Sequence, residues 1–179
     1  MSDSAVTFVP VNLGAAEAPE RARAVLAWLV ESGVVAAEPS ACALGGEGHP
    51  PGPCASDATG GEPPDALEVN GVELVLGRTV FDAGENGLEL ACGACDARFE
   101  PDEAWYAAVG PWAEGDDGAR FACPSCGKAA PLVDWTGPSP WAFGHLGVRF
   151  WNWPPLSKAF AEELSRRLGG RVAVVRTHA

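Results

Sequence analysis

Two C-x-x-C pairs constrain this chain more than any other feature. Cys92-Gly93-Ala94-Cys95 and Cys123-Pro124-Ser125-Cys126 are separated by 27 residues, and paired motifs at that order of separation read as a four-thiolate zinc site. The physical reason is local. A tight turn across each pair lets two sulfurs approach one ion from one side, and a second such turn completes the tetrahedron. The opening MSDSAVTF has neither the basic nor the apolar segment of an export signal. With six cysteines in such a chain, metal binding rather than disulfide bonding is expected, together with a cytoplasmic location.

Short strands are expected at Leu88–Ala91 and Arg120–Ala122, leading into each turn, and at Lys128–Val133, leading away. CGAC and CPSCGK resemble the two knuckles of the zinc-ribbon family, over residues 88–135, with helix-prone PDEAWYAAVGPW and acidic EGDDG lengthening the ribbon between them. The resemblance implies one Zn²⁺ on Cys92, Cys95, Cys123 and Cys126. It specifies a metal more narrowly than a function, because ribbons serve transcription, RNA handling, catalysis and scaffolding alike. The reading adopted is structural: zinc staples a subdomain whose own core is thin. Redox chemistry is the rival. Thioredoxin-type sites place one C-x-x-C at a helix N-terminus, whereas both pairs here lie on β structure, so a zinc-releasing thiol sensor is the form this alternative takes. Cys42, His49 and Cys54, with Asp57, could supply a second site. Their spacing is not that of a knuckle, and incidental thiols on a flexible segment are expected instead.

Charge narrows the partners. The net charge is −12, but residues 1–148 hold 6 basic and 22 acidic side chains while residues 149–179 hold 6 basic and 2 acidic. Between the cysteine pairs, 7 acidic residues face 2 basic ones, and four thiolates on one Zn²⁺ add a further −2. Nucleic-acid affinity comes largely from cations on phosphate, so DNA or RNA is not expected as a partner. Arg166 and Arg167 are read as closing a helix, where cations suit the dipole. The longest apolar run is Ala24–Val30, far short of the roughly 20 residues that span a bilayer.

The two ends of the chain share one grammar. Val6–Val11 alternates as a strand, Ala22, Val25, Leu26, Leu29 and Val30 trace a helical stripe capped by Gly33, and Val34–Ala37 is expected to open a second strand. At the other end Val148–Trp153 reads as a strand. Ser157 then caps a helix with Leu156, Phe160, Leu164 and Leu168 four apart, and Val172–Thr177 is a final strand. This element order resembles a split β-α-β pair, the ferredoxin-like sandwich. The expected architecture is therefore α+β, with residues 1–37 and 143–179 forming the two halves of one domain. Residues 38–65, rich in Gly and Pro, should be a mobile loop. Residues 66–142 should hold β-hairpins at Asn70-Gly71 and Asn86-Gly87 and then the four-cysteine ribbon.

No G-x-x-x-x-G-K-[ST], H-E-x-x-H or G-x-S-x-G occurs, and His49, His145 and His178 have no neighbour marking a general base. A conventional hydrolase, kinase or ATPase is not expected. Trp135, Trp141, Phe143, Phe150, Trp151 and Trp153 crowd into 19 residues. They are expected to be buried under the ribbon or the hairpins, with an open groove for a partner or an enzyme site beside His145 as the alternatives. Taken together, the residues point to a non-enzymatic zinc-binding protein acting through contact with a protein partner.

Overall fold

The computed structural model describes residues 2–179. In chain order the elements are β1 (Ser4–Pro10), α1 (Ala18–Glu31), β2 (Ser40–Ala43), β3 (Gly46–Gly48), α2 (Ala55–Ala58), β4 (Val72–Phe81), β5 (Leu90–Ala91), β6 (Arg98–Phe99), α3 (Glu103–Ala113), β7 (Arg120–Ala122), β8 (Ala129–Pro131), a 3-10 turn (Leu132–Asp134), β9 (Ala142–Trp151), α4 (Lys158–Leu168) and β10 (Val172–His178). The chain is α+β. Its principal sheet has the order β10-β1-β9-β4, and every neighbouring pair is antiparallel.

The helices that cover this sheet follow from the apolar stripes. α1 carries Pro19 in its first turn and buries Ala18, Ala22, Val25 and Leu29. α4 is capped by Ser157, whose Oγ accepts from the Phe160 N–H at 3.2 Å, and it buries Phe160, Leu164 and Leu168. These side chains meet Phe8, Leu146, Val148 and Phe150 in the main core. Each large one contributes about 1.5–3 kcal/mol by leaving water. Arg167 lies 4.6 Å over Trp28, which stacks on Phe160 at 5.3 Å, so a residue expected only to close α4 also clamps it to α1. Glu163 orients that guanidinium. Hydrogen bonding from Arg166, then from Arg167, holds its carboxyl down at about 2.

Three expectations need correction. Val34–Ala37 does not form the second strand: Val34 and Val35 are buried core residues, and only Val35 makes a bridge, to Pro51. β4 takes that place, because it pairs with β9 from Val72↔Phe150 to Phe81↔Ala142, with a register shift between Leu76 and Thr79. The hairpins at the two Asn-Gly pairs do not form either. Gly71 approaches Cys42 so closely that an added Cβ would collide with the Cys42 Sγ, and its N–H donates to the Cys42 carbonyl at 2.7 Å. Glycine is needed there for proximity rather than for a turn. Gly87 does turn at φ +71°, but in a loop whose Asn86 side chain donates to the Arg176 carbonyl at 2.9 Å. Third, residues 38–65 hold β2, β3 and α2 and bury Cys42, Ala43, Ala55 and Ala58. Small side chains and backbone bonds replace the large apolar residues this segment lacks. His49 and Val72 exchange N–H and C=O, each bond at 2.9 Å.

That segment also covers the aromatic strand. Trp151 is buried against Ala5, Ala43 and Val69, and its indole N–H donates to the Glu73 carboxylate at 3.0 Å. Trp153 does not share its face. Asn152 adopts φ +54°, which breaks the alternation and turns Trp153 onto Phe150, 5.2 Å away on the helical side. Trp135 is buried as well, while Trp141 and Trp153 are half-buried. Replacing Trp151 by Ala should cost about 3–5 kcal/mol, as a large core truncation does, measured as a lowered urea midpoint. An unchanged midpoint would contradict its place in the core.

Candidate metal centre

The cysteine pairs sit on two turns of the same construction. In the first, the Cys92 N–H donates to the Ala97 carbonyl at 3.0 Å and the Asp96 N–H to the Cys92 carbonyl at 2.9 Å. In the second, Cys123 N–H donates to Lys128 at 2.9 Å and Gly127 N–H to Cys123 at 2.8 Å. The residue after the second cysteine of each pair has positive φ, Asp96 at +57° and Gly127 at +73°. That region is open to glycine and, among other residues, most readily to Asn and Asp. The β5–β6 ladder holds the first turn and the β7–β8 ladder the second.

The two turns face each other. Cys92 Sγ lies 3.9 Å from Cys126 Sγ, and Cys95 Sγ 3.8 Å from Cys123 Sγ. All four sulfurs fall within 4.8 Å of one another. A tetrahedron with Zn–S bonds of roughly 2.3 Å has an edge of about 3.8 Å, so the cluster has the dimensions and the soft donor set of a tetrahedral metal site. It is the one such group among the described residues. Each turn supplies one buried sulfur, Cys92 or Cys123, and one exposed, Cys95 or Cys126.

The thiols polarise one another. The Ala94 N–H donates to the Cys92 Sγ at 3.4 Å, and this bond above all lowers the Cys92 thiol to about 7. At Cys95 the Ala97 N–H pulls the same way, but burial and hydrogen bonds with Cys126, Cys92 and Cys123 outweigh it and push the thiol up to about 11. Four adjacent sulfurs resist sharing negative charge, and a divalent ion removes that resistance by stabilising every thiolate at once.

The buried sulfurs belong to a second core. Cys92 and Cys123 pack with Leu90, Trp105, Phe121, Leu132, Trp135 and Phe143. α3 delivers Trp105 to its centre. Asp102 caps the helix by accepting from the Ala104 and Trp105 N–H groups at 3.0 and 3.2 Å. Trp105 meets Phe121 edge-to-face at 5.2 Å and Trp135 at 6.3 Å. Arg78 fastens this core to the principal sheet. It projects where the β4–β9 register shifts, beside Gly77 at φ +103°. Its Nε donates to the Trp112 carbonyl at 2.5 Å, its Nη2 meets Asp117 at 2.6 Å, and its guanidinium lies 4.3 Å over the Trp112 ring. Nothing in the sequence marks Arg78 except the glycine before it.

The other candidates are placed elsewhere. Cys42, His49, Cys54 and Asp57 do not form a ligand cluster among the described residues. His49 instead bonds the Ala36 carbonyl through Nδ1 at 3.0 Å, and Cys54 is tied by its N–H to the Gly33 carbonyl at 2.8 Å. His145 lines a cleft of about 240 Å³ with Asn12, Trp112 and Asp117, whose carboxylate is already paired with Arg78. Neither C-x-x-C opens a helix. No described helix is long and apolar enough to cross a membrane. Comparison with protein-family models, curated proteins and solved structures finds no match to this chain.

The shared turn geometry makes a test of its own. Gly127→Val forces a β-branched residue into positive φ and should cost about 1–2 kcal/mol, read from denaturant unfolding, whereas Asp96→Asn should be nearly neutral. Equal losses at both positions would show that the two turns are not equivalent.

Proposed function

We propose that Cys92, Cys95, Cys123 and Cys126 hold one structural Zn²⁺ in a zinc ribbon, and that the chain is a non-enzymatic binding protein that works by contact with a protein partner. The observation that carries the reading is the convergence of two equivalent turns on one point, with one sulfur of each built into the second core. An ion there joins β5–β6 to β7–β8, two ladders of two and three residue pairs that are too short to hold together on their own. Its role is that of a staple.

The scaffold is read as a ferredoxin-like sandwich. The order β1-α1-β4-β9-α4-β10, with β1 and β9 central and α1 and α4 packed in one core on the sheet, supports it. The ribbon is then an insertion between β4 and β9, and not between halves ending at residue 37 and starting at 143. A reducing, cytoplasmic setting suits six free thiols. The acidic insertion argues against nucleic acid: Asp96, Glu100, Glu114 and Asp117 are all among its charges. Exposure of Cys95 and Cys126 supports one second reading, in which oxidation of these sulfurs releases the ion.

Metal analysis of protein purified without added metal tests the assignment. One zinc per chain is expected, replaced by Co²⁺ with the strong visible absorption of a tetrahedral thiolate site. Cys123→Ser should abolish that spectrum, while Cys42→Ser and Cys54→Ser leave it intact. Substoichiometric zinc, or a spectrum that survives Cys123→Ser, would refute the four-sulfur site. Zinc lost on treatment with dilute hydrogen peroxide and regained after reduction would select the sensor reading.

A further inference from the structure

We propose that the outer edge of β10 receives one extended segment of a partner protein as an added strand, with a carboxylate at its Arg176 end. This rests on the reading of the chain as a binding protein and names the surface and the chemistry of what binds.

The register identifies which backbone groups are free. Asp3 and Ala179 exchange N–H and C=O at 3.0 and 2.8 Å, and the antiparallel β1–β10 register runs from Ser4↔His178 to Pro10↔Val172. Bonded pairs alternate along such a ladder, so Ala173, Val175 and Thr177 bond to β1, while Val172, Val174, Arg176 and His178 turn their N–H and C=O outward. The far end of that edge is closed. The Glu85 N–H donates to the His178 carbonyl at 2.9 Å, His178 N–H to Ala83 at 3.3 Å, and the Asn86 side chain to the Arg176 carbonyl at 2.9 Å. Upstream, no described residue bonds the N–H or C=O of Val172 or Val174, or the N–H of Arg176.

An open strand edge is ordinarily blunted by charge, proline or a covering loop. This one is walled instead. Residues 137–140 stand beside it and, with Asn86, Val174 and Arg176, line a cavity of about 450 Å³, while a second of about 170 Å³ lies over the adjoining sheet face against Val11 and Ala173. The wall is anchored: the Ala91 N–H donates to the Thr136 carbonyl at 2.8 Å, and Gly137 lies so near the Glu89 carbonyl that no side chain fits. Pro138 and Pro140 bring no N–H to compete for the occupant. Val172–Arg176 offers an edge of roughly 17 Å, at about 3.3 Å per residue, which suits five extended residues.

Charge selects the end group. At one end of the trough Arg171 is held by Asp134 at 2.9 Å, whereas Arg176 at the other is exposed and forms no ion pair among the described residues. A second copy of this chain is a poorer occupant. Two chains of net charge −12 repel.

The test selects a phage-displayed random heptapeptide library on the intact zinc-loaded protein, then maps the enriched peptides by amide chemical shifts. Alternating β-branched sequences with Asp or Glu at one end are expected, with the largest shifts at Val172, Val174 and Arg176. Val174→Pro removes an outward N–H that the β1 ladder does not use, and should weaken binding at least tenfold. Val174→Thr should stay within twofold, and Arg176→Glu should lose at least fivefold. If Val174→Pro fails to fold, the Arg176→Glu loss and the shift map decide. Peptides that shift residues elsewhere, or that ignore Val174→Pro, overturn the edge assignment and leave the binding reading standing. A library that enriches nothing on zinc-loaded protein overturns the edge assignment. A concentration-dependent dimer abolished by Val174→Pro overturns the peptide in favour of a second copy.

Discussion

Phe81 and Ala142 are cross-strand neighbours, so everything between them must leave the sheet and return to it within one strand spacing. Closing a flexible loop of that length costs on the order of 3–4 kcal/mol before any constant term, and ordering the loop costs far more. β4 and β9 form the most extensive pairing in the sheet, and residues 82–141 form the loop between them. Its strands are two or three residues long, and α3 carries Pro111 in its last turn. Secondary structure alone does not hold such an insertion. A small aromatic core packs within it, and the four sulfurs converge beside that core.

The insertion is therefore coupled to the sheet at a few defined points. Phe143, on β9, packs into the second core rather than the first, and Val80, opposite it on β4, joins from the neighbouring strand. Arg78 adds an ion pair, a backbone bond and a cation–aromatic contact from one side chain. Arg171 reaches back from the start of β10 to Asp134. Val80 and Phe143 face each other in the sheet's own register, so distortion of the insertion meets the sheet first at β4 and the β9 entrance. α1 and α4 pack on a separate core and are insulated from it.

Much of this was legible in the residues, for reasons that can be named. The stripes Ala22–Val25–Leu29 and Phe160–Leu164–Leu168 are periodic and capped, and they became α1 and α4. The cysteine spacing carries its own geometry, and the four sulfurs meet. What stayed hidden was long-range. Val72–Phe81 looked like half of a local hairpin because Asn70-Gly71 precedes it, but the partner strand lies beyond the entire insertion. Gly71 answers to Cys42, and Cys42 sits in a segment whose composition suggested no structure. Period-two alternation would put Trp153 on the face of Trp151, but it assumes uniform backbone angles, and Asn152 breaks it. Arg78 carried no local signal beyond the glycine before it.

Native-state hydrogen exchange, before and after chelation of the metal, tests the central claim most directly. If the ion staples an insertion that is otherwise marginal, stripping it should erase protection in residues 88–135, while Phe8, Leu29, Val148 and Leu164 in the main core keep theirs. Uniform loss of protection along the chain would show that insertion and sheet are one cooperative unit. Unchanged protection in residues 88–135 would show that the second core stands without the metal.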